Sequence, residues 1–527
     1  MMTLEMKKIL YVLSLWCVSI FLGVIYSIYN TDPHHWGFIV GTALDFIRGK
    51  DFFSEIFIQY GVGQAILFKI LNYIFPINYT TVGIITAVIY ATNFPVIFFC
   101  VRRISNSTQA ILITSIAFLV HPFAIYPWPD YFAGLSLCFA CYFLIKAKQD
   151  GKYRLYATSG IFLFLAFLFR NTYLLSIMTS IISFVLLSLF SNSLKKKGIY
   201  VVIGVFSGLL AGYLLFLIYQ GNLFNWYIQD FGAAFGVYDV GFSSSVKVIF
   251  KFASYLVDPS FMLFFCLLII NIYMIIYALI DDFKSTDLKQ RFDYSVLIFL
   301  CLLGCSGIFQ ALRHLEIFRL QSATVALYFG LAYFLKMRTS ETSQFNKMRF
   351  LNYFFGALIF TLILKFPFAL IGSTRANRTT IWPIISPSIL KIDSFSKSEI
   401  PFFKLHRFQI LENNYYQNLY KYVCDGKSRI VNLTLDSTIP YLCEDQDNAL
   451  SIPFYDDQLI QRINKQESER LIAGDFREGE VIVTEVLPPI NKNISLFLIG
   501  TISRPVSIRW MKPGNVLVLR AESANSN

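Results

Sequence analysis

The chain has 527 residues, of which 56% are hydrophobic and only 15% charged, with a formal net charge of +12. A soluble globular protein carries about 25% charged residues, so this balance excludes an ordinary soluble fold and points to lipid. The surplus Lys and Arg sit mostly in short loops between apolar blocks, which reads as a topology signal and not as a nucleic-acid surface.

Taken in chain order, the first apolar block covers residues 9–28, after Lys7 and Lys8. It is too long for a signal-peptide core and no small-residue cleavage site follows, so it is expected to be a retained span. Further spans are expected at 80–101, 110–125, 131–145, 155–169, 173–190, 200–219, 260–280, 294–309, 320–335 and 351–372. That makes about eleven, each near the length needed to cross a hydrocarbon core. The end of the third is blurred by His121 and Pro122. Residues 64–75, shorter and carrying Lys69 and Asn72, read as an interfacial or re-entrant helix.

Charge tests this count. With the N-terminus cytoplasmic, alternate loops should be basic, and they are: Arg102 and Arg103; Lys146, Lys148, Lys152 and Arg154; Lys195 to Lys197; Lys284, Lys289 and Arg291; Lys336, Arg338, Lys347 and Arg349. The opposite face then receives residues 29–79, 121–130, 170–172, 221–259 and 311–319, and the tail from 373 to 527. In that tail 428–433, 480–485 and 516–519 read as strands and 412–422 and 456–469 as helices, a small α/β or α+β domain. Every cysteine except Cys424 and Cys443 lies in an apolar block and behaves as a small hydrophobe. Those two can form a disulfide if the tail is extracytoplasmic.

The outer loops hold the residues that could carry chemistry. The first reads Asn30-Thr-Asp-Pro-His-His-Trp-Gly37, then an amphipathic stretch 38–48, then Gly49-Lys-Asp-Phe-Phe-Ser-Glu55 and Gln59-Tyr-Gly-Val-Gly63. Asp32 falls just past the first span, where a carboxylate can reach a substrate at headgroup level; it can equally cap the helix that follows. His34 and His35 are adjacent, so their side chains diverge and cannot chelate one ion as an i, i+4 pair would. One could still be a ligand or donate to a phosphate. The second loop, His121 to Asp130, is stiffened by three prolines around Tyr126 and Trp128. Asp130 is placed to act as N-cap of the next span. Arg170 closes a span, and the turn at 311–319 holds Arg313, His314, Glu316 and Arg319. Ionisable groups at membrane depth are functional candidates, and arginines suit a phosphate. Snorkelling or a salt bridge to Glu316 is the alternative. HExxH, a pair of CxxC motifs, GxSxG and Walker sequences are absent, which leaves the common soluble hydrolases and NTPases without support.

With these loops in place the chain resembles the GT-C superfamily of membrane glycosyltransferases, which use polyprenyl-phosphate-linked sugars. The resemblance lies in Asp32 after the first span, the juxtamembrane helix, the Gly-Lys-Asp-Phe-Phe and Gln-Tyr-Gly segments, Asp130 opening the fourth span, and a C-terminal extracytoplasmic domain. It implies an all-α polytopic transmembrane bundle at residues 1–372, with 373–527 a separate soluble domain. Asp32 would be the general base, activating an acceptor hydroxyl for inverting displacement. Arg313, Arg319 and Arg170 would hold the departing phosphate, and His34, His35, Tyr60, Asp130 and His314 would line the substrate site. A divalent cation, Mg or Mn, could sit on Asp32 and Asp130, although only one acid stands where many members have a pair. The partners implied are a polyprenyl-phosphate sugar donor, a glycan, lipid or protein acceptor, and membrane lipid, with no nucleic acid; the setting is the inner cell membrane. An O-antigen-type polymerase or ligase competes, but such proteins rely on a larger late loop. A lipid-linked-glycan transporter would place charge near the bilayer midplane, where Lys365 is the exception here.

Overall fold

The computed structural model describes residues 3–29, 33–52, 56, 58, 60–174, 178, 182, 200–202, 204, 208, 258–284, 288–311, 317–340, 356, 359–364, 419–424, 428–434, 436–443, 449–450, 465–473, 475–485, 506–512 and 516–521. Its helices are α1 (Leu4–Tyr29), α2 (Pro33–Ile47), α3 (Gly63–Asn72), α4 (Tyr79–Ile104), α5 (Ser107–Val120), α6 (Pro129–Asp150) and α7 (Tyr153–Phe169). They continue with α8 (Pro259–Lys284), α9 (Leu288–Ala311), α10 (Ile317–Ala323), α11 (Leu327–Ser340) and α12 (Lys465–Ile472). Four of these are long and apolar enough to cross a membrane, namely α1, α4, α6 and α8. Apolar side chains stay exposed along the outer faces of α1 (Leu10, Val18, Phe21) and α8 (Ile269, Ile272, Ile276). A water-facing helix would place charge there, so these are lipid-facing surfaces and the chain is an integral membrane protein.

Local sequence sets the helix ends. Asn78 and Thr81 form a reciprocal capping box at the start of α4, and Asn106 caps α5 by accepting from the Gln109 amide. Gly151, in the left-handed region, closes α6. The expected spans at 9–28, 80–101, 131–145, 155–169, 260–280 and 294–309 all fall on these helices. The third stops at Val120, five residues earlier than expected, because His121 turns extended ahead of Pro122. Expected spans at 173–190, 200–219 and 351–372 lie largely outside the described residues.

Residues 320–335 were expected as one span and are two helices. A turn at 324–326 separates α10 from α11, and the amides of Leu327, Tyr328 and Phe329 bond to the carbonyls three residues back. The backbone thus stays satisfied without continuing the α-helix, as an apolar surrounding demands. Gly304 and Gly307 on α9 give the segment room, since a Cβ at either would strike the backbone of Leu327 or Ala323.

The two ends of the bundle differ. At one end Glu5 accepts from Ser107 at 2.9 Å and pairs with Arg102 at 3.3 Å, while Arg103 and Gln149 exchange two hydrogen bonds. This gathers the basic ends of α4 and α6, as the charge pattern predicts. At the other end lie α2, α3, the 121–130 loop and a C-terminal unit. That unit has a four-stranded mixed sheet in the order β1-β2-β4-β3, with β1 (Ile430–Leu433), β2 (Val481–Glu485), β3 (Val506–Lys512) and β4 (Val516–Ala521). β1 and β2 are parallel, with α12 in the connection; the other pairings are antiparallel. Three strands were expected; β3, with its bulge between Ile508 and Trp510, was not. Cys424 and Cys443 are disulfide-bonded, as the sequence allowed.

Candidate active site

The 121–130 loop ends in Tyr126-Pro-Trp-Pro-Asp130, and its prolines hold the backbone extended, so Trp128 becomes the residue immediately before α6. Its ring, 1% exposed, is the hub of the site. The guanidinium of Arg319, at the start of α10, lies 4.7 Å from the ring centroid and that of Arg170, just after α7, lies 5.8 Å away. The His35 ring meets Trp128 edge-on at 4.8 Å, and the Tyr60 ring approaches at 4.9 Å. Arg170 also lies 4.9 Å from the Tyr60 ring. Two guanidiniums beside one indole ring is an arrangement that cation–π attraction sustains when water is excluded.

Asp130 was expected as an N-cap. Pro129 takes the first helical position, Trp128 is the cap residue without a side-chain bond, and Asp130 lies one turn-position further in. Its carboxylate instead pairs with Arg170, Oδ2 lying 2.9 Å from Nη1, both side chains almost fully buried. The alignment makes this an ion pair and not a directed hydrogen bond. The Tyr173 hydroxyl approaches Oδ1 at 3.5 Å, and Arg170 Nε donates to Thr172 Oγ1 at 3.2 Å. Burial of such a pair is tolerated because each charge neutralises the other.

Two backbone anchors fix the hub. Gln64 on α3 donates to the Pro127 carbonyl at 2.6 Å, and the Asn171 amide donates to the Tyr60 carbonyl at 2.8 Å. Gly61, at φ +153°, lies against the carbonyls of Leu168 and Phe169, where a side chain would not fit. A half-open cleft adjoins the cluster, lined by Phe38, Ile39 and Thr42 of α2, by Ile58, Tyr60, Gly61, Gln64 and Ala65, and by Pro129. Its cavity volume is about 20 Å³, within about 300 Å³ of space that is partly open solvent.

Of the residues singled out in the sequence, His35, Tyr60, Asp130, Arg170 and Arg319 therefore converge on one centre. Asp32, Arg313 and His314 lie outside the described residues, as does the His34 side chain. Trp128 and Tyr173 were not singled out as site residues. The signal for Trp128 was its place between two prolines in a loop next to an acid, since such a ring cannot swing away. As placed, Asp130 is the counter-ion of Arg170, which does not fit a metal ligand, and no three His, Cys, Asp or Glu side chains gather among the described residues.

Residues 62–239 match the family model described as dolichyl-phosphate-mannose-protein mannosyltransferase. Among solved structures the chain is similar to ArnT from Cupriavidus metallidurans bound to undecaprenyl phosphate, with 9% identity, 99% of this chain and 98% of that one covered, and a TM-score of 0.48. Its apo form gives 10% identity, coverage of 98% and 99%, and a TM-score of 0.45. An oligosaccharyltransferase from Archaeoglobus fulgidus tethered to an acceptor peptide gives 12% identity and a TM-score of 0.42, covering 84% of this chain and 64% of that one. No curated protein sequence matches. The family match takes in about a third of the chain, α3 to α7 and with them Trp128, Asp130 and Arg170. It bears out the resemblance to the GT-C membrane glycosyltransferases and points to an enzyme of that type.

Proposed function

We propose that this enzyme moves a sugar from a polyprenyl-phosphate donor to a glycan, lipid or protein acceptor on the extracytoplasmic face, by a single inverting displacement. The observation that carries the reading is the convergence of two buried arginines, Arg170 and Arg319, on Trp128 beside an apolar cleft. A lipid-linked sugar presents a phosphate and an isoprenoid chain together, and two buried guanidiniums, one of them paired with Asp130, beside an apolar-lined cleft offer a counterpart to each. Thr172 and Asp130 engage Nε and Nη1 of Arg170, so Nη2 is the edge a phosphate would meet.

In the reaction the acceptor oxygen attacks the anomeric carbon as the bond to the phosphate oxygen breaks. The acceptor proton passes to a base, for which Asp32 is the candidate, and the negative charge appears on the polyprenyl phosphate. Arg170 and Arg319, with Arg313, would stabilise that charge, and the poorly hydrated surroundings strengthen the effect. His35 and Tyr60 would border the sugar; His34 and His314 belong to the same proposal. A polyprenyl phosphate is a good leaving group, so no acid is needed. A divalent cation would have to compete with Arg170 for Asp130, and no step is routed through one. The fit of cation pair to cleft favours this reading over a polymerase or a transporter.

The test is Asp32→Asn in cells, scored for loss of a sugar from a surface glycan or lipid while the protein still inserts. A general base contributes about 10²–10⁴-fold, so transfer should fall at least about a hundredfold. Full activity in the Asn variant would remove Asp32 from the mechanism.

A further inference from the structure

Helix α2 forms one wall of the cleft and carries His35 against Trp128, yet its opposite side is gripped by the C-terminal unit. Gly37 and Gly41 stand one turn apart on that side. A Cβ on Gly37 would lie 2.4 Å from the Thr438 amide nitrogen, and one on Gly41 would lie 1.9 Å from the Tyr441 ring. Their lack of side chains is what admits the 3₁₀ turn Ile439–Tyr441 to the helix backbone. One turn beyond Gly41, the Tyr441 hydroxyl donates to Asp45 Oδ2 at 2.9 Å, while Lys50 pairs with Oδ1 at 2.8 Å. At the helix start, Trp36 stacks on Tyr79 of α4, whose hydroxyl bonds Thr438 Oγ1 at 2.8 Å.

The gripping segment is itself stiff. Asn432 donates to the Asp436 carbonyl, Thr438 donates its amide to Asp436 Oδ1, and Cys443, two residues after Tyr441, is bonded to Cys424. The same helix thus touches the candidate site on one side and a cross-linked turn, some four hundred residues away in sequence, on the other.

We propose that this contact is a clasp by which the C-terminal unit positions α2, so that Tyr441 and Asp45 are positioning residues for the site and not merely interface contacts. The clasp sets how the α2 wall, with Phe38, Ile39 and Thr42, faces a bound lipid-linked substrate. This rests on the glycosyltransferase reading above. It gives the C-terminal unit a role in the reaction, exerted through α2.

The experiment uses full-length Tyr441→Phe and Gly41→Leu proteins in lipid nanodiscs, beside the wild type. Two measurements are made: hydrogen exchange of α2, and steady-state transfer from a polyprenyl-phosphate sugar. Loss of one buried hydrogen bond should raise α2 exchange in Tyr441→Phe about fivefold, with α4 to α7 unchanged and Gly41→Leu more strongly affected. The donor KM should rise by a similar factor of about five while kcat stays within about twofold, because the wall binds and does not react. Unchanged exchange in α2, or lowered thermal stability with wild-type KM and kcat, would overturn the clasp. The exchange measurement needs no catalysis. A wild type that transfers no sugar would therefore sink the functional reading, and the clasp would stand or fall on exchange.

Discussion

Among single residues, Asp130 and Arg170 form the pair on which the site depends. Both are nearly inaccessible to solvent, so removing one leaves the other charged without a partner in a dry setting. Asp130→Ala alone is expected to destabilise the protein by about 3–5 kcal/mol. The double variant Asp130→Asn with Arg170→Gln should recover much of that loss, because neither member is left as an unpaired buried charge. Thermal unfolding in detergent, run as a double-mutant cycle, reads the coupling directly. The pair could not be read from the sequence, in which forty residues separate its members and Asp130 after Pro129 looks like a cap. A carboxylate just inside a helix has two uses, and only the partner brought in at the end of α7 selects between them.

At the level of elements, most of the bundle was legible because apolar blocks of spanning length and basic loops obey the same alternation. What escaped were features decided by neighbours. The break between α10 and α11 lies in a run without charge, proline or glycine, Ser322-Ala-Thr-Val-Ala-Leu327, and arises where Gly304 and Gly307 let α9 press against it. Helix α3 was legible as a short amphipathic element, but its task was not. Its first turn carries Gln64, whose amide holds the Pro127 carbonyl and so fixes the loop bearing Trp128. Gln64→Leu keeps the apolar packing and leaves that carbonyl buried and unpaired, a loss of about 1–3 kcal/mol. The expected result is weakened substrate binding together with faster exchange of the loop amides. Wild-type exchange there would show that the prolines alone hold the loop.

Across the whole molecule, three independent features separate the two ends. Arg102 and Arg103 gather with Glu5 and Gln149 at one end, and Trp128, the cleft and the clasp lie at the other, beside the unit that holds the Cys424–Cys443 disulfide. Positive charge retained on the cytoplasmic side and disulfides formed in oxidising compartments are different physical effects. Both agree with the proposed orientation, in which the C-terminal unit lies outside. A bridge between cysteines 19 positions apart constrains the unfolded chain by about 3 kcal/mol, a contribution that would be lost in a reducing cytoplasm. Intact cells treated with a membrane-impermeant maleimide should therefore leave Cys424 and Cys443 unlabelled, and label both after an impermeant reductant is added. Labelling only after the membrane is permeabilised would place the unit inside. The site would then face the cytoplasm, and an outer-leaflet donor could not reach Arg170 and Arg319.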